Sequence, residues 1–240
     1  MDVFMLPVSP APEGGEPRFE FYCEPPPDTL MTGQAATESA VAPSVMSRLV
    51  GGFTQALAEG EAEERREERG EVVAAEGSRI GRFLKRKLAS AVAEQRLLWH
   101  LRHASAARLI HPTTVAPARA LELVTAEFRK DHDKHRLWCG IDAGIVLASA
   151  PLAVVPGPNF LAYYFMFRTV GHFFSMRGAR KGRDASLWTM VPSAPLSDLE
   201  RTLILDPQAR AEGVDAVAAA LGLERLGVFM RRVAERASRV

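Results

Sequence analysis

Nineteen consecutive residues from Leu137, LWCGIDAGIVLASAPLAVV, carry a single charge, Asp142, in a chain of which 25% of the residues are charged. Wound as a helix, such a run spans about 28 Å, close to a bilayer hydrocarbon core of about 30 Å. Pro156, Gly157, Pro158 and Asn159 then force a turn. A second apolar run, Phe160 to Met176, follows and is interrupted by Arg168 and His172. The pattern predicts an antiparallel hydrophobic helical hairpin over 137 to 176. A hairpin this apolar has two places to go, a membrane or the core of a soluble helical scaffold.

Charge around the hairpin favours the membrane. The formal net charge of +1 hides a segregation in which acids dominate residues 1 to 78 and bases dominate 79 to 136. Arg129, Lys130, Lys134 and Arg136 precede the hairpin, and Arg177, Arg180, Lys181 and Arg183 follow it. Basic residues on both flanks put both ends on one face, cytoplasmic or equivalent to the mitochondrial matrix. Lys130, Lys134, Arg136, Arg177, Arg180, Lys181 and Arg183 are thus candidates to meet anionic lipid headgroups. Counted from the Gly157-Pro158 turn, Asp142 and His172 fall at similar depth, and Arg168 lies one turn from His172 on the same face. Asp142 is expected to pair with Arg168 or His172, because an unpaired charge in apolar surroundings is costly and ionisable residues within membranes mark ion or proton pathways. Simple neutralisation near the interface is the alternative.

The remaining chain reads as mainly α. Apolar runs Val3 to Val8 and Arg18 to Tyr22 predict a small N-terminal β-hairpin over 1 to 23, followed by a breaker-rich linker, 24 to 43. Residues 44 to 136 read as a helical region, acidic and then basic. Ser44 caps a stripe of Val45, Met46, Leu49, Val50, Phe53 and Leu57, and a solvated Glu-rich stretch covers 59 to 71. A long helix carries Ile80, Phe83, Leu84, Leu88, Leu98 and Leu101 and ends near His111-Pro112, and another covers Ala116 to Arg136. After the hairpin, residues 177 to 240 are a basic flank and a helical unit. Within it Ser197 to Glu200 form a capping box, Asp206-Pro207 closes that helix, and two further helices break near Leu221 to Leu223.

Motifs for chemistry are absent. There is no nucleophile elbow, phosphate loop, dinucleotide fingerprint or CxxC pair, so no enzyme activity and no cofactor are expected. Glu127, Asp131 and His135 share a helical face within a run containing His132 and Asp133, but Lys134 and Arg136 crowd it and no metal is expected. The basic run Arg79, Arg82, Lys85, Arg86 and Lys87 lacks a nucleic-acid-binding motif and suits lipid headgroups. Cys23 and Cys139 occupy unrelated contexts, which points to a reducing compartment and no disulfide. A single hairpin cannot satisfy its own polar groups in lipid, so a protein partner or a homo-oligomer is expected alongside membrane lipid.

The order of features resembles a known family. VFMLPV with RFEFYCE, WHLRHASAARLIHP, the block from His135 to Gly182, and VDAVAAALGLERLGVFMRRVAE are together similar to the mitochondrial potassium/proton-exchange-related proteins. The most specific part is the apolar arm, the Pro/Asn turn, the aromatic arm and Arg168-x-x-x-His172. The resemblance implies a membrane-associated component supporting potassium/proton exchange, a subunit or regulator and not the exchanger alone, with no catalytic residues to carry over. The N-terminus does not read as a transit peptide and the composition is rich in Ala and Arg, so a bacterial relative is expected.

Overall fold

The alternation of apolar residues in the two N-terminal runs is that of strands, and it is in strands that they lie. The structure is a computed structural model describing residues 1–10, 17–24, 97–149 and 160–237. The linker, the 45 to 57 stripe, the Glu-rich stretch, the 79 to 87 basic run and the PGPN turn fall outside these residues. Two compact units are present, one of Met1–Glu24, His100–Lys130 and Gly178–Val240, the other of Pro25–Trp99 and Asp131–Arg177.

The first unit is built on a four-stranded mixed sheet, which corrects the expectation of a bare N-terminal hairpin in an otherwise helical chain. Strands β1 (Asp2–Ser9), β2 (Arg18–Tyr22), β3 (Ala107–Pro112) and β4 (Trp188–Ser193) lie in the order β2-β1-β3-β4. β1 pairs antiparallel with β2, as the expected hairpin, but parallel with β3, which pairs parallel with β4. β3 occupies the place where a helix end was expected. The helical pattern through Leu98 and Leu101 stops at turns in which His103 N–H donates to the His100 carbonyl and Ala104 N–H to that of Leu101. The short run ARLIHP then extends with alternating burial. Pro192, which cannot donate to a ladder, is tolerated in β4 because β4 is an edge strand.

Parallel strands require long crossovers, and the connection from β3 to β4 contains two helices, α1 (Pro117–Ser149) and α2 (Phe160–Gly182). α1 runs unbroken through Leu137, so the expected boundary between helix and hairpin does not exist. Among the described residues no helix is long and apolar enough to cross a membrane. The expected transmembrane helix therefore has no support among these residues. α1 is charged up to Arg136, its apolar part ends at Ser149, and α2 carries Arg168, His172, Arg177, Arg180 and Lys181.

Three short helices, α3 (Ala194–Thr202), α4 (Pro207–Leu221) and α5 (Leu226–Ala237), complete the unit. Their apolar faces bury Leu196, Leu199, Val214, Val217 and Leu226 against Phe4 and Leu6 of β1, with Ile110 and Tyr22 from neighbouring strands at the margin. The period of two sends the alternate residues of the sheet to its other face. There Phe21, the register partner of Met5, has its ring centroid 6.0 Å from that of Phe128 on α1. β1 is therefore buried on both faces. The expected capping box does not open α3. That helix starts at Ala194, and Ser197 is buried with its hydroxyl accepting the Thr113 N–H at 2.8 Å. Asp206 does not close it either, but caps α4, accepting from Gln208 N–H at 3.1 Å and Ala209 N–H at 3.2 Å with Pro207 in the first turn. The break near Leu221 is where expected, made by Gly222 at φ 67.

One contact ties α1, α2 and β4 together inside this unit. Trp188 stacks on Phe128 at 5.7 Å and 6° and donates its indole N–H to the Gly182 carbonyl at 2.7 Å. A Cβ at 182 would stand 2.6 Å from the Phe128 ring, closer than packed atoms approach. Gly182→Ala is expected to displace that ring and destabilise the chain by about 1–3 kcal/mol. Urea unfolding followed by Trp fluorescence checks this.

Candidate functional site

In the second unit, α1 buries a row of polar residues toward α2 and exposes several apolar ones. His135, Asp142 and Ser149 recur every seven residues on α1, the spacing that keeps side chains on one helix face. All three are buried, and Ser175 of α2 is buried as well. Cys139, on the same face, donates its thiol to the Thr169 carbonyl at 3.8 Å. Ser175 accepts the Trp99 indole N–H at 2.9 Å and donates to the Gly171 carbonyl at 2.9 Å.

The centre of this seam is the Asp142 carboxylate. Arg168 Nε lies 3.2 Å from its Oδ2, and His172 Nε2 lies 3.6 Å from the same oxygen. Both partners expected from the hairpin register are therefore present. Asp142 is 1% exposed, yet neither oxygen accepts a hydrogen bond of proper geometry from the described residues. Proximity of charge is what compensates the carboxylate. Burial pushes its pKa above the usual carboxylate range, and Arg168 and then His172 pull it back. Arg168 is itself 30% exposed, with its guanidinium 5.5 Å from the Trp138 ring centroid, 5.8 Å from Tyr164 and 5.7 Å from Phe165. These rings fix the cation in place and shield it from water.

A second histidine extends the cluster. His135 Nδ1 lies 2.9 Å from His172 Nδ1, so one imidazole donates and the other accepts. Burial, then the neighbouring His172, then Lys134 lower His135 to about 4 from its ordinary 6.5. His172 is lowered too, by burial, with Asp142 opposing and Arg168 and Lys134 adding. His135 was legible only as part of a weak metal-like run. Among the described residues no three His, Cys, Asp or Glu converge on a metal position. His132 instead contacts Asp133 at 3.2 Å, and Glu127 pairs with Lys130 at 3.0 Å.

Opposite the seam runs a stripe that the sequence reading passed over. Leu137, Gly140, Ile141, Gly144, Leu147 and Ala148 follow the i, i+3, i+4, i+7 rule and are all exposed, Leu137 at 63%, Ile141 at 43% and Leu147 at 75%. A Cβ at Gly140 or Gly144 would meet nothing within 4 Å. The signal was available as the complement of the seven-residue polar spacing, but the uniform apolar content of the run concealed it. Of the basic candidates, Lys134, Arg136, Arg177, Arg180 and Arg183 are exposed. Lys130 is engaged by Glu127, and Lys181 donates to the Ala104 carbonyl.

Fold and site together define a mixed α/β domain whose β3–β4 crossover carries a two-helix arm with a buried polar cluster and an exposed apolar stripe on α1. The chain belongs to the family described as mitochondrial K+-H+ exchange-related, whose model matches residues 3–182 and so takes in both helices of the arm and every residue of the cluster. No curated protein and no solved structure matches it.

Two outcomes follow from the cluster. Arg168→Met leaves Asp142 buried without its cation and is expected to cost about 3 kcal/mol, the low end for a broken buried pair because Arg168 is partly exposed. Adding Asp142→Asn should recover most of that loss, a positive coupling read from a double-mutant cycle in urea. His135 in turn refuses in the folded state a proton that the unfolded chain accepts. The stability it leaves intact above pH 6.5 is expected to fall as pH drops toward about 4, and His135→Gln should flatten that part of a stability-against-pH curve.

Proposed function

We propose that this chain is a membrane-associated, non-enzymatic component that supports potassium/proton exchange, as a subunit or regulator and not as the transporter alone. The observation that carries the reading is the inverted arm. In water, such an arm bears two costs at once, a buried charge and an exposed row of Leu and Ile. Against acyl chains the second cost disappears, and the apolar surroundings reinforce the pairing inside.

Geometry favours docking over spanning. The apolar part of α1 from Leu137 to Ser149 is about 20 Å long, well short of a bilayer core but of the length that interfacial segments use. Trp138, 41% exposed beside Arg136, suits the headgroup level, where amphipathic rings collect. Exposed Lys134, Arg136 and Arg177 match anionic lipid. The bulk of the chain then stays on the cytoplasmic or matrix-like side. A protein partner or a second copy completes the exchange machinery, with Gly140 and Gly144 leaving room for another helix to approach. Family membership supports the exchange role, and the arm supports the membrane role.

Flotation of the full chain with phosphatidylglycerol vesicles tests the docking. The chain is expected to float with them and to float less with phosphatidylcholine alone, and Ile141→Glu with Leu147→Glu should weaken binding by about tenfold or more. Equal recovery of both forms at the bottom of the gradient would remove the membrane reading. Potassium and proton fluxes in membranes with and without the chain then test the exchange role.

A further inference from the structure

We propose that His172, held between Asp142 and His135, is a binding site for one proton, relayed to it through the buried His135. The proposal goes beyond docking and concerns the interior of the arm, not its outer face.

The tautomers follow from the contacts. The Asp142 carboxylate faces His172 Nε2, which therefore carries the hydrogen in the neutral ring, leaving Nδ1 as an acceptor. His135 Nδ1–H must then be the donor across the 2.9 Å contact, which leaves His135 Nε2 as the ring nitrogen that carries the lone pair. A proton added at His135 Nε2 passes its effect along. The Nδ1 hydrogen of His135 moves to His172 Nδ1, His135 ends neutral with its hydrogen on Nε2, and His172 becomes the imidazolium. In that state His172 donates on both sides, to His135 Nδ1 and to Asp142 Oδ2. The 3.6 Å separation of His172 and Asp142 exceeds hydrogen-bond length. Full charge on the ring is what draws it in. A second proton is blocked, because it would set two N–H groups against each other across the 2.9 Å contact.

The charged surroundings agree with a single proton placed on His172. Facing it among the described residues are Lys134, His135 and Asp142 from α1 and Arg168 from α2, with Cys139 beside Asp142. Burial opposes the proton most, Asp142 favours it, and Arg168 and Lys134 add to the opposition, so the site loads below the ordinary histidine range. Burial, His172 and Lys134 all act against a proton on His135. It relays the proton and does not keep it.

Long-range 15N–1H correlation of histidine rings in the full-length chain, without vesicles, tests this separately from docking. At pH 7.5 His172 is expected as the Nε2–H tautomer and His135 as the Nδ1–H tautomer. On acidification His172 should gain its second N–H first, with a midpoint below 6.5, while His135 remains neutral and changes tautomer. His172→Gln and His135→Gln assign the signals, and Asp142→Asn should move the His172 midpoint further down. The wild-type tautomers alone can overturn the proposal. His172 as Nδ1–H at neutral pH, or the two rings charging together, contradicts it, as does a folded Asp142→Asn chain whose His172 midpoint is unchanged.

Discussion

Asp142 holds its carboxylate away from water on α1, and the guanidinium of Arg168 opposes it from α2 at 3.2 Å. An ion in such a place is tolerable only while its partner stays, so this pair couples the packing of the two helices to their charge. The remaining features of the arm follow from it. Tyr164, Phe165 and Trp138 gather around Arg168 because the cation must be held at the seam. His172 joins from one turn further along α2, and His135 joins through His172. With polar groups occupying the inner face, the apolar residues of α1 are left on the outer one.

The first unit has the usual distribution, with apolar side chains inside and charged ones at the surface. β1 is covered on both faces, by the helices α3, α4 and α5 on one and by aromatic contacts through Phe128 on the other. The second unit differs, in that His135, Asp142 and Ser149 are buried while Leu137, Ile141 and Leu147 are exposed.

Legibility in the sequence tracked how far each signal depended on distant residues. β1 and β2 were readable because period-two alternation is local, and α4 and α5 because Gly222 breaks their pattern. β3 and β4 were not, since ARLIHP and WTMVPS are too short to be told from helix ends, and only parallel pairing across the long crossover makes them strands. The pairing of Asp142 with Arg168 and His172 could be found by counting from the turn. His135 could not, because its partner lies on the other helix and its own neighbours, Asp131 to Lys134, suggested metal. The apolar run from Leu137 shows the same limit, since its total apolar content is local while the side of α1 on which each residue falls depends on the packing of α2.

The most direct measurement of the inverted arm places a nitroxide at Leu147→Cys in a Cys23→Ser, Cys139→Ser chain bound to anionic vesicles, and compares collision with oxygen and with a water-soluble nickel complex. Oxygen, concentrated among acyl chains, is expected to reach the label far better than nickel, whereas a label at Arg136→Cys should show the reverse. Equal nickel access at 147 and 136 would mean that the outer stripe faces water, and the membrane role of the arm would be wrong.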